Sequence, residues 1–153
     1  MHPDLFELLE LLLAHNVEFL VVGSTALAIH ARPRYTEDID LWIQRSSENS
    51  FRLASALRDF GFQITDEALR PFWSEDRQMI TLGAKPQAVD LLNFLGEDSF
   101  ESAWENRIEA IIGGVNVPVI GLREFVRAKR TAGRPKDLAD LALLEEVWGK
   151  LNE

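Results

Sequence analysis

Phe19-Leu20-Val21-Val22-Gly23-Ser24-Thr25-Ala26-Leu27-Ala28-Ile29-His30, followed after a short link by Asp38-Ile39-Asp40-Leu41-Trp42-Ile43, is the stretch on which the fold turns. An apolar run of strand type, read from Val17 to Val22, ends at a Gly-Ser pair. That pair opens a short helical stretch running to about Ala31, with Ser24 expected as its cap. Fourteen residues after Ser24 come two aspartates one residue apart, at the head of a second strand. Side chains on a strand alternate faces, so Asp38 and Asp40 point the same way. Between helix and strand, Arg32-Pro33-Arg34-Tyr35-Thr36-Glu37 reads as a loop, because proline biases Arg32 out of the helical region.

A third carboxylate, Asp90, lies in another apolar run, Ala88-Val89-Asp90-Leu91-Leu92. Burying an unpaired carboxylate is costly, so three acids converging on one place suggest a cation. Oxygen-only ligands suit Mg²⁺, which fills its remaining positions with water and substrate phosphate. The Gly-Ser turn offers free backbone N–H groups and the positive end of a helix dipole to a phosphate. Each feature has a plainer reading. Asp-x-Asp alone can be two solvated acids, a lone Gly-Ser is a common helix start, and Asp90 could face water from an edge strand. The order of the three gives the set its weight.

This set resembles the nucleotidyltransferase superfamily of polymerase-β-like fold, in particular its minimal bacterial members and the abortive-infection (AbiEii-type) toxins related to them. The resemblance rests on Gly23-Ser24, the Arg34-Tyr35-Thr36 segment, Asp38-Ile39-Asp40, the later Asp90 and the run Lys129-Arg130-Thr131-Ala132-Gly133-Arg134-Pro135-Lys136-Asp137-Leu138-Ala139-Asp140-Leu141. Val22 and Ala31 stand where relatives often have glycine. The resemblance implies Mg²⁺-dependent transfer of a nucleoside monophosphate from an NTP to a hydroxyl of a protein, a tRNA or a small molecule. Asp38, Asp40 and Asp90 would be the catalytic and metal-binding residues, with Asp90 either a ligand or the base for the acceptor hydroxyl. Two Mg²⁺ ions are implied, with Mn²⁺ as a substitute. Gly23, Ser24, Arg34 and Thr36 would meet the nucleotide. The toxin-like members add an antitoxin protein as a candidate partner. A non-catalytic nucleotide-binding or regulatory module of the same fold is the alternative.

Composition bounds these readings. The chain has 153 residues, 46% hydrophobic and 27% charged, values ordinary for a globular protein and enough for one domain with a real core. It has no cysteine, which excludes thiolate catalysis and Cys-based zinc sites. His2, His15 and His30 have no zinc spacing, and His30 reads as a packed residue. There is no P-loop and no Gly-x-Ser-x-Gly elbow. No apolar run approaches a membrane span and no leader segment is evident, so a cytoplasmic, membrane-free protein is expected. The net charge of −9 argues against generic nucleic-acid binding. Yet residues 123–136 gather Arg123, Arg127, Lys129, Arg130, Arg134 and Lys136 against one acid, Glu124. A triphosphate needs positive charge beyond its metal, so Lys129 foremost, then Arg130, are candidate phosphate ligands.

The remaining pattern predicts an α+β fold, a small mixed β-sheet with helices packed on it and a helical C-terminal segment at 121–150, all within one domain spanning 1–153. A first helix is expected behind Asp4, with Leu5, Leu8, Leu9 and Leu12 on one face. A helix capped by Ser46 or Ser47 is expected to stop at Gly61, with a short strand at Phe62-Gln63-Ile64 behind it. Strands at Gln78–Leu82 and Gln87–Asn93 flank a turn at Gly83-Ala84-Lys85-Pro86, and Gly113-Gly114 reads as a tight hairpin between Ile108–Ile112 and Val115–Ile120. Two helices, about Leu122–Ala132 and Lys136–Trp148, close the chain around Gly133 and Pro135.

Overall fold

A computed structural model describes residues 1–33, 35–85 and 87–151. Helix α1 (Pro3–Ala14) starts on a proline, and its cap is His2, whose ring nitrogen accepts from the Asp4 N–H at 3.2 Å. The expected Asp4 cap is therefore corrected: Asp4 is already inside the first turn, where its charge suits the dipole. Leu5, Leu8, Leu9 and Leu12 are fully buried along one stripe. Strand β1 (Phe19–Val22) is buried throughout and runs straight into helix α2 (Gly23–His30). It begins two residues later than Val17, because Asn49 takes both the N–H and the carbonyl of Glu18 with its side-chain amide.

Strand β2 (Asp38–Ile43) pairs antiparallel with β1, placing Val22 opposite Asp40. Helix α3 (Ser47–Phe60) is capped by Ser46, whose hydroxyl accepts from the Asn49 N–H at 3.1 Å, and it packs on α1. The expected strand at Phe62-Gln63-Ile64 does not form. The chain turns there into a 3₁₀ turn (Glu67–Leu69) and helix α4 (Pro71–Ser74), burying Leu69 and Phe72 instead. Strands β3 (Met79–Leu82) and β4 (Ala88–Leu92) pair antiparallel. Pro86 of the turn between them lies outside the described residues. After helix α5 (Phe100–Glu105), strands β5 (Ile108–Ile112) and β6 (Val115–Val119) form the expected hairpin, with Gly113 and Gly114 at φ of 57° and 82°. A two-residue turn with both φ positive matches the right-handed twist of the flanking strands, and glycine allows it without strain.

The six strands lie in the order β3-β4-β2-β1-β6-β5. Two parallel pairings, β2 with β4 and β1 with β6, join antiparallel pairs into one mixed sheet. Helix α6 (Leu122–Ala132) stops at Gly133, which takes the left-handed conformation at φ 61°. Helix α7 (Pro135–Trp148) opens with a capping box in which Asp137 accepts from the Arg134 N–H. It packs on α6 and returns to α2, where the Trp148 indole N–H donates to the His30 carbonyl at 2.6 Å. His30 is buried, bonds the Ile120 carbonyl through Nε2 at 2.7 Å and stacks on Phe125. Burial lowers its pKa, so it serves as a neutral packing residue. Among the described residues no helix is long and apolar enough to cross a membrane.

Candidate active site

Asp38 and Asp40 stand half-buried on the same face of β2. The parallel pairing of β2 with β4 sets Asp40 directly beside Asp90. The antiparallel pairing on the other side sets Thr81 beside Asp90, and the Thr81 hydroxyl donates to Asp90 Oδ1 at 2.6 Å. Asp40 is pushed up to about pH 7 in its ionisation, first by burial, then by a hydrogen bond to Asp90 and by the charges of Asp90 and Asp38. The Lys136 ammonium pulls in the other direction. Like charges in register are costly to hold together, so the proton stays on Asp40 up to about pH 7.

The carboxylate of Asp40 lies against the backbone of Gly23. Gly23 has φ 66°, and a Cβ there would run into the Asp40 carboxyl group. The resemblance implies that Gly23 meets the nucleotide. In the structure, the room beside it is filled by the side chain of Asp40. Ser24 also differs from expectation. The cap position of α2 is Val22, which has no side-chain cap bond, and Ser24 is the second residue of the helix. Its hydroxyl is therefore not needed for capping, and it lines the two clefts described next.

Two clefts meet at Asp40. One, of about 450 Å³, is polar: Ser24, Tyr35, Thr36, Glu37, Asp38, Lys85 and Lys136 surround it with Asp40. The other, of about 290 Å³, holds Asp90 and has a largely apolar wall of Met79, Leu92, Leu95, Phe125, Ala128 and Ala132. Gly23, Ser24, Asp40 and Lys136 also border it. Residues 125–137 of α6 and α7 thus face the aspartates across a gap.

Thr36 is buried in the polar cleft, its hydroxyl 3.5 Å from that of Thr25. Arg34 lies outside the described residues. Lys129 reaches the apolar cleft, but its ammonium is 2.8 Å from Asp140 and 3.3 Å from Asp137. Asp137 is 1% exposed and also accepts from Arg134 Nε at 2.7 Å. The Arg134 contact, with help from Lys129 and against the cost of burial, holds Asp137 down at about 2. The charge of Lys129 is therefore largely spent inside the protein. Arg130 donates to the Leu151 carbonyl at 2.8 Å and lines neither cleft. The cation that reaches both clefts is Lys136, for which no ion pair occurs among the described residues. Sequence reasoning counted Lys136 in the basic run without singling it out. Its signal was available: it directly precedes Asp137, whose cap fixes the first turn of α7. Thr81 carried no motif at all.

Among the described residues no three acidic or histidine side chains stand gathered to hold a metal ion. The donor set nevertheless fits a divalent cation. Asp40 and Asp90 are adjacent oxygen donors whose mutual repulsion a cation would relieve, and Asp38 lies two residues along the same strand face.

Residues 3–152 match the family model described as "Nucleotidyltransferase of unknown function (DUF6036)". Among solved structures, a Thermotoga maritima protein assigned as a nucleotidyltransferase superposes with a TM-score of 0.59 at 17% identity, covering 90% of this chain and 88% of that one. The lincosamide antibiotic adenylyltransferase LnuA, solved with lincomycin bound, superposes with a TM-score of 0.61 at 15% identity, covering 96% and 98%. At these identities the likeness is one of fold. Among curated protein sequences none matches the chain significantly.

Proposed function

The chain belongs to the DUF6036 nucleotidyltransferases, and on that premise we propose that it transfers a nucleoside monophosphate from an NTP to a hydroxyl group in a Mg²⁺-dependent reaction, releasing pyrophosphate. The observation that carries this reading is the register of Asp40 against Asp90 at the foot of the Gly23-Ser24 turn. Asp38, Asp40 and Asp90 would hold the cation, which when bound coordinates phosphate oxygens and acidifies the attacking hydroxyl. The polar cleft receives the triphosphate: the first N–H groups of α2, Ser24, Thr36 and the ammonium groups of Lys136 and Lys85 offer donors and positive charge to its oxygens. Asp90, oriented by Thr81, accepts the acceptor's proton. Catalysis on this plan is positioning and electrostatics without a covalent enzyme intermediate. A protein, RNA or small-molecule hydroxyl fits the chemistry equally at this level, and an antitoxin partner enters only through the motif resemblance.

The test pairs two variants with each labelled NTP and a cell extract. Asp40→Asn keeps the side chain's size and is expected to lower transfer by roughly a hundredfold or more. Lys136→Ala is expected to weaken Mg·NTP binding about tenfold at low salt and less at high salt, since a lysine acts on phosphate as a point charge. Full transfer by Asp40→Asn overturns the mechanism.

A further inference from the structure

We propose that the chain modifies itself: Tyr35, which borders the polar cleft, takes a nucleoside monophosphate onto its phenolic oxygen within the same molecule. This rests on the nucleotidyltransferase reading above and adds to it a modification site on the chain's own surface.

The polar cleft gathers three side-chain hydroxyls where the triphosphate is proposed to lie, those of Ser24, Tyr35 and Thr36. They are not equivalent. Thr36 is buried, with its hydroxyl 3.5 Å from that of Thr25. Ser24 is short and sits in the first turn of α2, so the helix backbone fixes where its hydroxyl can go. Tyr35 lies on the link between α2 and β2, inside neither element. It is 66% exposed, and among the described residues its hydroxyl has no hydrogen-bond partner. Its side chain can therefore change rotamer without breaking a bond. It is also the only tyrosine in the chain.

Position and chemistry favour the same residue. Tyr35 precedes Asp38 by three residues and Asp40 by five, and it shares one cleft with both of them and with Lys85 and Lys136. A hydroxyl tethered beside a bound NTP meets it at an effective concentration that a dissolved acceptor does not reach. Of the three hydroxyls only that of Tyr35 is a phenol, and a phenol releases its proton more readily than an aliphatic alcohol, so the step asks less of a base. The phenolic oxygen forms a bond to the α-phosphorus. The bond from that phosphorus to the oxygen bridging to the β-phosphorus breaks, and pyrophosphate leaves with the electron pair. The phenolic proton passes to water, which reaches so exposed a side chain.

The experiment uses the full chain, Mg²⁺ and each of the four ribonucleoside triphosphates labelled at the α-phosphate, with and without a cell extract. Label retained on the denatured chain is counted, and its position is mapped by mass spectrometry of peptides. The expected result without extract is label on Tyr35, approaching a single nucleotide per chain, at a rate per chain that stays constant over about a tenfold dilution. Asp40→Asn is expected to abolish it. Tyr35→Phe keeps the ring, and with it any stacking of the ring on a base, and removes only the oxygen. It is expected to lower self-labelling about tenfold or more. Label on Ser24, Thr36 or any other residue overturns the proposal, as does a Tyr35→Phe chain labelled like the wild type. A rate per chain that rises in proportion to chain concentration overturns it too, because transfer would then run between molecules. A chain that labels the extract and never itself overturns this proposal and leaves the nucleotidyltransferase reading standing. A chain that binds no NTP and labels neither overturns that reading, and the self-modification with it.

Discussion

Gly23 couples the two halves of the signature. Its φ of 66° is open to glycine at little cost, and the space where a side chain would begin is occupied by the Asp40 carboxylate. Gly23→Ala therefore meets two penalties, a left-handed backbone and a collision with the half-buried Asp40 carboxyl group. The expected outcome is a loss of about 2 kcal/mol or more in denaturant unfolding. Transfer should fall as well, because Asp40 must leave its register position to make room. A variant with wild-type stability and activity would show that the Gly-Ser turn and the carboxylate pair are independent. The spacing of Gly23 from Asp40 made both residues conspicuous in the sequence. It could not show that they touch, because that contact depends on the antiparallel pairing of Val22 with Asp40.

Helices α6 and α7 are joined by charge at a buried point. Asp137 accepts from Arg134 and Lys129 and is held near pH 2, below the ordinary carboxylate range. A carboxylate depressed in the folded state adds stability above its unfolded pKa of about 4, and that stability drains away as the pH falls through about 2. Asp137→Asn should thus cost about 2 kcal/mol at neutral pH and little near pH 2, measured as the difference between wild-type and variant unfolding curves at each pH. A pH-independent difference would assign the loss to the helix cap alone. Element boundaries marked by glycine and proline were legible: Gly61, Gly113-Gly114, Gly133 and Pro135 each act where local backbone rules place them. Boundaries set by distant partners were not. The chain at Phe62-Gln63-Ile64 has the composition of a strand but no neighbour to pair with, and β1 is shortened by an asparagine in another helix. Within the site, the three aspartates could be read from order and period. Thr81 could not, because its role arises from where β3 is laid beside β4, and Lys136 could be placed in the first turn of α7 but not at the clefts, because that depends on where α7 is laid against the sheet.

Across the whole molecule, the carboxylate cluster sets how stability responds to pH and metal. Asp40 keeps its proton in the folded chain up to about pH 7, whereas the unfolded chain releases it near pH 4. Between those values the folded state binds the extra proton, so stability without metal falls as the pH rises through that window and levels off above it. Asp40→Asn removes this decline. On the proposed mechanism, a divalent cation would bind the ionised carboxylates and compete with that proton. Adding Mg²⁺ is expected to raise the Tm more at pH 8 than at pH 5.5, and EDTA should restore the metal-free curve. Equal shifts at both pH values would detach the cation from Asp40.

The Trp148 bond to the His30 carbonyl gives the chain a temporal order. Gly23, Ser24, Asp38, Asp40 and Asp90 all precede residue 93, and they are on the growing polypeptide long before Lys136 exists. The helix carrying Lys136 is pinned against α2 by an indole in its own last residue. During synthesis the three aspartates and Lys85 are therefore made first, and Lys136 joins them only with α7. On the proposed function, the triphosphate site is complete only once Trp148 has been made and α7 has docked on α2.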